Sequence, residues 1–448
     1  MTTSLVRSIR MLAASVLLVA CGGETVRHLP DGPGTLPDGP SVDGLPPPAD
    51  AEVLTPVTCG APTRLDTLGG VGNVKAATLS PGKYVVSWDE NPAAAPRIAK
   101  ARVFDGTQFV AEQTFTSPPA GTIATIAADG QGRGYAAWLG ATLMGRSVLE
   151  PGGSAFGTPT SIPTAELALA GLPSGAVLLT LASGPGGFPS PTVSVYDPGA
   201  ATWSSPLTLL DGNFRVEALG VSATGKAAIS WLDTFAPGVP LYVTTFDGTW
   251  STPSSTFLTP VGSGLQYLTQ TPAVYANGDV LFVYGVSSTT TGAAMLESMR
   301  YHAATGVFDP PISLDGPGAS APRVFIDAMD RVTVVYHKDT ELFATRDLGA
   351  GWTAAIDLGA GAAVIAETDA AGNLATVLQP ANQSGMSTLR RITATGSTWT
   401  EPVPTGFGPT NSSPETSIAI AFDAAHHPVV FAKQIVATHT ELHAVVCQ

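Results

Sequence analysis

The 448-residue sequence predicts an all-β protein made of repeated units, and three observations carry that reading. Charged residues make up only 12% of the chain, while Gly contributes 49 positions and Pro 38, so turn formers are many and helical bundles or coiled coils are disfavoured. Short runs of alternating apolar residues follow turn signals along the chain, the period-two pattern of half-buried strands. The same pattern returns at a nearly constant spacing, which marks a repeat architecture. The hydrophobic share of 44% is ample for a packed core and excludes wholesale disorder. A formal charge of −14, without any Lys/Arg-rich run, argues against nucleic acid as a partner.

The chain opens with MTTSLVRSIRMLAASVLLVAC, where Arg7 and Arg10 precede an apolar stretch from Met11 to Ala20. That stretch is too short to span a bilayer, so residues 1–20 read as a processed export signal. Leu18-Val19-Ala20-Cys21 resembles the lipobox of bacterial lipoproteins. The resemblance implies lipidation of Cys21 and attachment to the membrane through that lipid. With Gly22 next, it implies an outer-membrane lipoprotein, periplasmic or surface-exposed. Loss of Arg7 and Arg10 with the signal takes the charge from −14 to −16. Residues 21–58 continue as a tether rich in Pro, Gly and Asp, with no periodic apolar face to bury. Its Asp31, Asp38 and Asp43 lack the dense alternation of oxygen ligands that a calcium loop requires.

Residues 59–448 are the expected folded domain. A turn followed by an alternating apolar run recurs there eight times: SPGKYVVSW at Gly82, DGQGRGYAAW at Gly132, PSGAVLLTL at Gly175, ATGKAAISW at Gly225, ANGDVLFVY at Gly278, AMDRVTVVY at Asp330, AAGNLATVL at Gly372 and AAHHPVVFA at His426. These anchors lie 42 to 54 residues apart. Asp129, Ser222 and Asp369 stand three positions before their anchors, as in type I turns, and the apolar stretch before each turn completes a hairpin. A later signature places an aromatic residue three positions before a proline, as in Phe156…Pro159, Trp203…Pro206, Trp250…Pro253, Phe308…Pro311 and Trp399…Pro402. Each unit therefore holds about four short strands, the content of one β-propeller blade.

The turn between the third and fourth strands resembles the Asp-box of sialidase-like propellers, Ser/Thr-x-Asp-x-Gly-x-x-Trp. Thr345, Asp347, Gly349 and Trp352 match it in full; the turn at Asp197 is one residue longer and the turn at Asp247 is shorter. The expected fold is an eight-bladed propeller of four-stranded blades, or seven-bladed if one unit is an insertion. The last unit, SIAIAFDAAHHPVVFAK to ELHAVVCQ, contains three strands. Its fourth is expected at the start of the domain, where Cys59-Gly60-Ala61-Pro62 mirrors Trp250-Ser251-Thr252-Pro253. Cys59 and Cys447, an even pair once Cys21 is lipidated, are then expected to form a disulfide across the seam.

For function, the position six after each anchor holds Trp88, Trp138, Leu181, Trp231, Tyr284, Tyr336, Leu378 and Ala432. Trp88, Trp138, Trp231, Tyr284 and Tyr336 are candidate stacking residues for sugar faces; packing between blades is the favoured alternative, since Leu and Ala share the site. A sialidase would need clustered arginines, a Tyr–Glu pair and an Asp acid/base. Arg97, Arg215, Arg323, Tyr242 and Tyr301 are available, but Phe214-Arg215-Val216-Glu217 lacks the proline of that family's Phe-Arg-Ile-Pro motif. His439, Glu441 and His443 share one strand face, without further ligands to suggest a metal site. No nucleophile elbow, Walker loop or dinucleotide fingerprint occurs, and no cofactor is expected. The sequence thus points to a non-catalytic binding platform for a glycan or protein in the cell envelope, with a glycoside hydrolase and a structural envelope component as rivals.

Overall fold

The structure is a computed structural model. It describes residues 54, 57–67, 69–91, 97–115, 122–140, 143–162, 165–183, 189–209, 215–232, 240–258, 265–288, 291, 294–361, 363–380, 386–408, 417–436 and 439–448. The export signal, Cys21 and nearly all of the tether lie outside these residues.

Eight antiparallel sheets follow one another; seven are ordered outward from the strand that comes first in the chain, and the closing one outward from Ile418–Phe422, with the domain's first strand at its outer edge. The inner strands of blades 1 to 8 are Val71–Ser80, Thr122–Ala128, Ala165–Leu172, Arg215–Val221, Leu265–Val274, Ala319–Ile326, Ala363–Thr368 and Ile418–Phe422. Each inner strand contacts the next, and the first contacts the last, so the sheets close into an eight-bladed β-propeller around a central channel. The seven-bladed alternative is excluded, because all eight anchors head a sheet of their own. Blades 3 and 5 show five strands only because the outer strand breaks in two: Thr202–Trp203 and Leu207–Thr208 both pair with Pro189–Asp197, and Val307–Phe308 and Ile312–Asp315 both pair with Ala294–His302. Pro206 and Pro311 fall at these breaks, where a residue without an N–H cannot hold the ladder.

The anchor turns repeat one device. In blades 2, 6, 7 and 8 an Asp Oδ1 accepts two backbone N–H groups across the turn: Asp129 from Gln131 and Arg133, Asp327 from Met329 and Arg331, Asp369 from Ala371 and Asn373, and Asp423 from Ala425 and His427, all within 2.7–3.1 Å. Ser222 Oγ serves blade 4 in the same way at Lys226. The fourth residue has positive φ in all eight turns, which explains glycine at six of them; Asp330 and His426 hold the same conformation at φ 61° and 62°.

Closure occurs in the last blade. Thr63–Arg64 pairs with His439–Val446 and supplies the missing outer strand. Cys59 and Cys447 are disulfide-bonded with Cα atoms 3.9 Å apart, and they occupy an isolated antiparallel bridge like those of Phe246–Trp250 and Asp347–Trp352. The bond therefore stands where a covalent turn joins strands three and four in other blades. Reciprocal hydrogen bonds between Thr58 and Gln448 extend the clasp by one residue pair.

Candidate functional site

Because strands alternate in direction, the anchor turns and the Asp-box-like turns share one face of the ring. The blade-to-blade connections share the other, and many of those fall outside the described residues. Trp88, Trp138, Trp231, Tyr284 and Tyr336 all have 0% exposed surface. Trp88 packs with Phe431 and Ala419 of the neighbouring blade, Trp138 stacks on Phe115 at 4.3 Å, and Trp231 lies parallel to Tyr242 at 5.9 Å. As folded, no ring among the five offers a face to a sugar, so the stacking platform is not formed and the rings serve as inter-blade core.

The structure also reveals what accommodates them. The inner strands of blades 1 to 6 each carry a β-bulge beside this layer, between Val71 and Val74 in blade 1, Ile123 and Thr125 in blade 2, and Val216 and Ala218 in blade 4, for example. Val74 pairs with Trp88, Ile123 with Trp138 and Val216 with Trp231, so the bulge turns the inner strand aside next to the indole. Blades 7 and 8, which have Leu378 and Ala432 instead, have unbulged inner strands.

The turn at Thr345–Trp352 is held by its own side chains. Asp347 Oδ1 accepts the N–H groups of Gly349 and Gly351 at 2.9 and 3.2 Å, and Thr345 Oγ1 donates to the Thr353 carbonyl at 2.7 Å. Between them Arg346 turns inward, and its guanidinium donates to Thr333 Oγ1 and to the carbonyls of Thr393, Ala394 and Gly396 of the next blade. Burial lowers its pKa to about 10. This turn fastens blade 6 to blade 7 and points no group at a ligand.

The residues weighed for catalysis are spread over blades 1, 4, 5 and 6. Arg97, Arg215 and Arg323 belong to blades 1, 4 and 6; Arg97 lies 3.8 Å from the buried Asp89. Tyr301 is buried against Ser254, its hydroxyl 3.1 Å from Ser254 Oγ. His439 and His443 each place Nε2 2.9 Å from a different oxygen of Glu441, and Arg64 also reaches that carboxylate at 2.5 Å. These partners hold the Glu441 carboxyl below its ordinary value and fasten the closing strand to the last blade. No group of three His, Cys, Asp or Glu suited to a metal ion occurs among the described residues.

Two cavities stand out among the described residues. One, of about 680 Å³, lies along the seam of blades 8 and 1, walled by Cys59, Leu65, Tyr84, Phe104 and Phe109. Its rings are occupied with one another: Tyr84 stacks on Phe104 at 4.7 Å, and Phe109 meets both edge-on. The other, of about 410 Å³, occupies the channel mouth on the anchor-turn face, between the inner strands of blades 7, 8, 1 and 2. Alanines 76, 77, 127 and 128 form much of its wall, with Thr78, Ser80, Thr368 and Glu367 as polar groups. A volume in this range suits a small ligand.

Glu367 is the residue that sequence reasoning missed. It is exposed within the mouth, and partial desolvation by the ring around it pushes its carboxyl up to about 7. The signal was present in the repeat. Two positions before the first residue of each anchor turn stand Ala77, Ala127, Ala170, Gly220, Ala273, Phe325, Glu367 and Ala421. One carboxylate interrupts a column of small or apolar residues.

No protein family matches the chain, and no curated protein is similar to it in sequence. Among solved structures it is similar to the Dos1 propeller, with TM-score 0.52 and 11% identity over 87% of this chain and 95% of that one. It is also similar to Kuenenia stuttgartiensis hydrazine synthase, with TM-score 0.45, 11% identity and coverage of 71% and 94%. A Hadza microbial sialidase aligns with TM-score 0.36 and 12% identity over 67% of this chain and 73% of that one. At 11% identity the Dos1 likeness speaks to the fold, a β-propeller, and to nothing beyond it.

Proposed function

We propose that this chain is an exported lipoprotein, anchored through Cys21, whose propeller is a non-catalytic binding platform for a glycan or protein in the outer membrane. The ligand group enters the channel mouth on the anchor-turn face. The observation that carries this reading is the cavity of about 410 Å³ walled by alanines, with hydroxyls and one unpartnered carboxylate at its edge. Small side chains keep the space open, and a few polar groups fix orientation, the usual make-up of a small-ligand site. The Asp369 and Asp423 carboxylates nearby are engaged in their own turns, so among the described residues lining the mouth neither is free to pair with Glu367 as acid and base. The structural-component reading leaves this cavity unexplained.

Two measurements test the proposal. The full-length protein is applied to a glycan array and incubated with fluorogenic glycosides; binding without turnover is expected, and turnover would make the protein a hydrolase. Radiolabelled palmitate should enter the wild type and not Cys21→Ala, and absence of label in the wild type would remove the lipid anchor.

A further inference from the structure

We propose that the channel mouth recognises a primary ammonium group, with the Glu367 carboxylate as its charge partner. This rests on the binding-platform reading and names the chemistry of the same site.

Three features of the mouth support the inference. First, its carboxylates are not equivalent. Asp369 gives Oδ1 to the N–H groups of Ala371 and Asn373, and Oδ2 to Asn373 Nδ2 at 2.9 Å with His426 Nδ1 3.4 Å away. Asp423 likewise spends Oδ1 on its turn and faces His427 Nδ1 at 3.1 Å through Oδ2. Glu367 has no hydrogen-bond or ion partner among the described residues, and burial is the sole cause of its raised pKa. A carboxyl group in that state gains most from a cation that brings its own charge into the cavity.

Second, cations described on the neighbouring blades have partners of their own. Arg331, on the neighbouring blade 6, is held by Asp327 at 2.6 Å, and Arg133 of blade 2 by Asp129 at 3.0 Å. Arg391 reaches the His426 carbonyl at 3.4 Å, and Lys75 and Arg323 lie farther along the inner strands of blades 1 and 6, each with interactions of its own. A protein of charge −14 adds a negative field that draws cations toward the mouth.

Third, the donor count fits. An ammonium presents three N–H donors on a compact head, whereas a guanidinium presents a planar fork that prefers a second acceptor in line. Glu367 supplies two carboxylate acceptors to a mouth that Thr368 and Ser80 also line, and the alanine wall receives a short apolar or sugar body behind the head.

The ammonium could belong to an amino sugar or to a small alkyl diamine, and the experiment separates the two. Isothermal titration calorimetry of the full-length protein is run with D-glucosamine, N-acetyl-D-glucosamine and 1,5-diaminopentane, on the wild type and Glu367→Gln. The wild type is expected to bind at least one of the two amines, more tightly than the acetylated sugar, and Glu367→Gln to lose about tenfold or more in that affinity. Glucosamine binding alone assigns the head to an amino sugar; diaminopentane binding, with or without glucosamine, assigns it to an alkylamine. Amine affinity should also fall as pH drops from 7.5 to 5.5, because the carboxyl, at about 7, must shed its proton to receive the cation. Circular dichroism melting of Glu367→Gln guards against misfolding, and the loss of that pH slope in a folded variant is a second readout. Unchanged amine affinity in Glu367→Gln overturns the inference. Binding of N-acetyl-D-glucosamine but neither amine overturns it too while leaving the platform reading intact; silence from all three probes removes the ammonium, and the glycan array then decides the platform separately.

Discussion

Blades 1 to 6 and blades 7 to 8 solve the same packing problem differently. In the first group the second strand carries an aromatic ring in five of six blades, and every inner strand bulges beside that layer. In the second group Leu378 and Ala432 replace the ring, and the inner strands run regularly. Blades 7 and 8 also contain what does not recur around the ring: the strand borrowed from the domain's start, the disulfide, and the carboxylate at the channel mouth. Chemistry that recurs around the ring builds the frame, and chemistry that occurs once is free to serve a ligand or a closure.

The sharpest way to break this contrast is to cut the seam. The Cys59–Cys447 bond spans 388 residues of sequence, so in the chain-entropy model it removes close to the maximum freedom a single bond can take from the unfolded chain. Cys59→Ala with Cys447→Ala is expected to cost about 5 kcal/mol, read as a lowered thermal midpoint that matches reduced wild type. A mutant melting with oxidised wild type would show that strand pairing alone holds the ring.

Next in size is the aromatic layer. Trp231→Ala should cost about 3–5 kcal/mol, with Leu378→Ala near the lower end of about 2–5 kcal/mol, because the indole fills space that a bulge has opened and no neighbour can refill. Equal losses in a chemical denaturation series would deny the two groups of blades their distinction.

Repeat spacing, blade number, the borrowed strand and the cysteine pair were all legible in the residues, because each rests on turn chemistry or on a periodic apolar pattern that a local reading detects. The bulges were not. The single extra residue between Tyr267 and Gln270 carries no residue signature of its own and shows itself in the pairing register. The aromatic residues illustrate a second limit. Trp88 and Trp138 have the composition of a sugar platform and of an inter-blade core alike, and burial decides between them. Glu367 was readable only by comparing the column of inner-strand positions, where one acid among Ala, Gly and Phe is a local conflict with the repeat.

That conflict has a stability signature smaller than the packing effects. The folded carboxyl titrates near 7, above its unfolded value of about 4.5, so the folded state holds more protons between those limits. Stability attributable to this group is present at pH 4.5 and lost as pH rises through 7. Glu367→Gln should therefore match wild type near pH 5 and exceed it at pH 8, by under about 1 kcal/mol because water in the mouth screens the charge. A variant less stable than wild type at pH 8 would assign Glu367 a structural partner and weaken its availability to a ligand.

The smallest expected effect compares two turns that break the glycine rule. Asp330 in blade 6 and His426 in blade 8 both sit at φ near +60°, where a Cβ costs about 1 kcal/mol and glycine costs little. Asp330 offsets that strain, since its Oδ1 accepts the Ala276 N–H of blade 5 at 2.7 Å and so ties one blade to the next. His426 has a weaker return, its Nδ1 lying 3.4 Å from Asp369. His426→Gly should thus be neutral to stabilising by up to about 1 kcal/mol, less the added freedom of glycine in the unfolded chain. Asp330→Gly should destabilise by a similar amount, because the Ala276 N–H loses its acceptor. Asp330→Asn, which keeps an acceptor oxygen and tolerates the left-handed conformation, should restore most of the loss. If both glycine variants shift the melting midpoint in the same direction, the inter-blade bond at Asp330 is not what holds a non-glycine residue there, and the two groups of blades would tolerate strain alike.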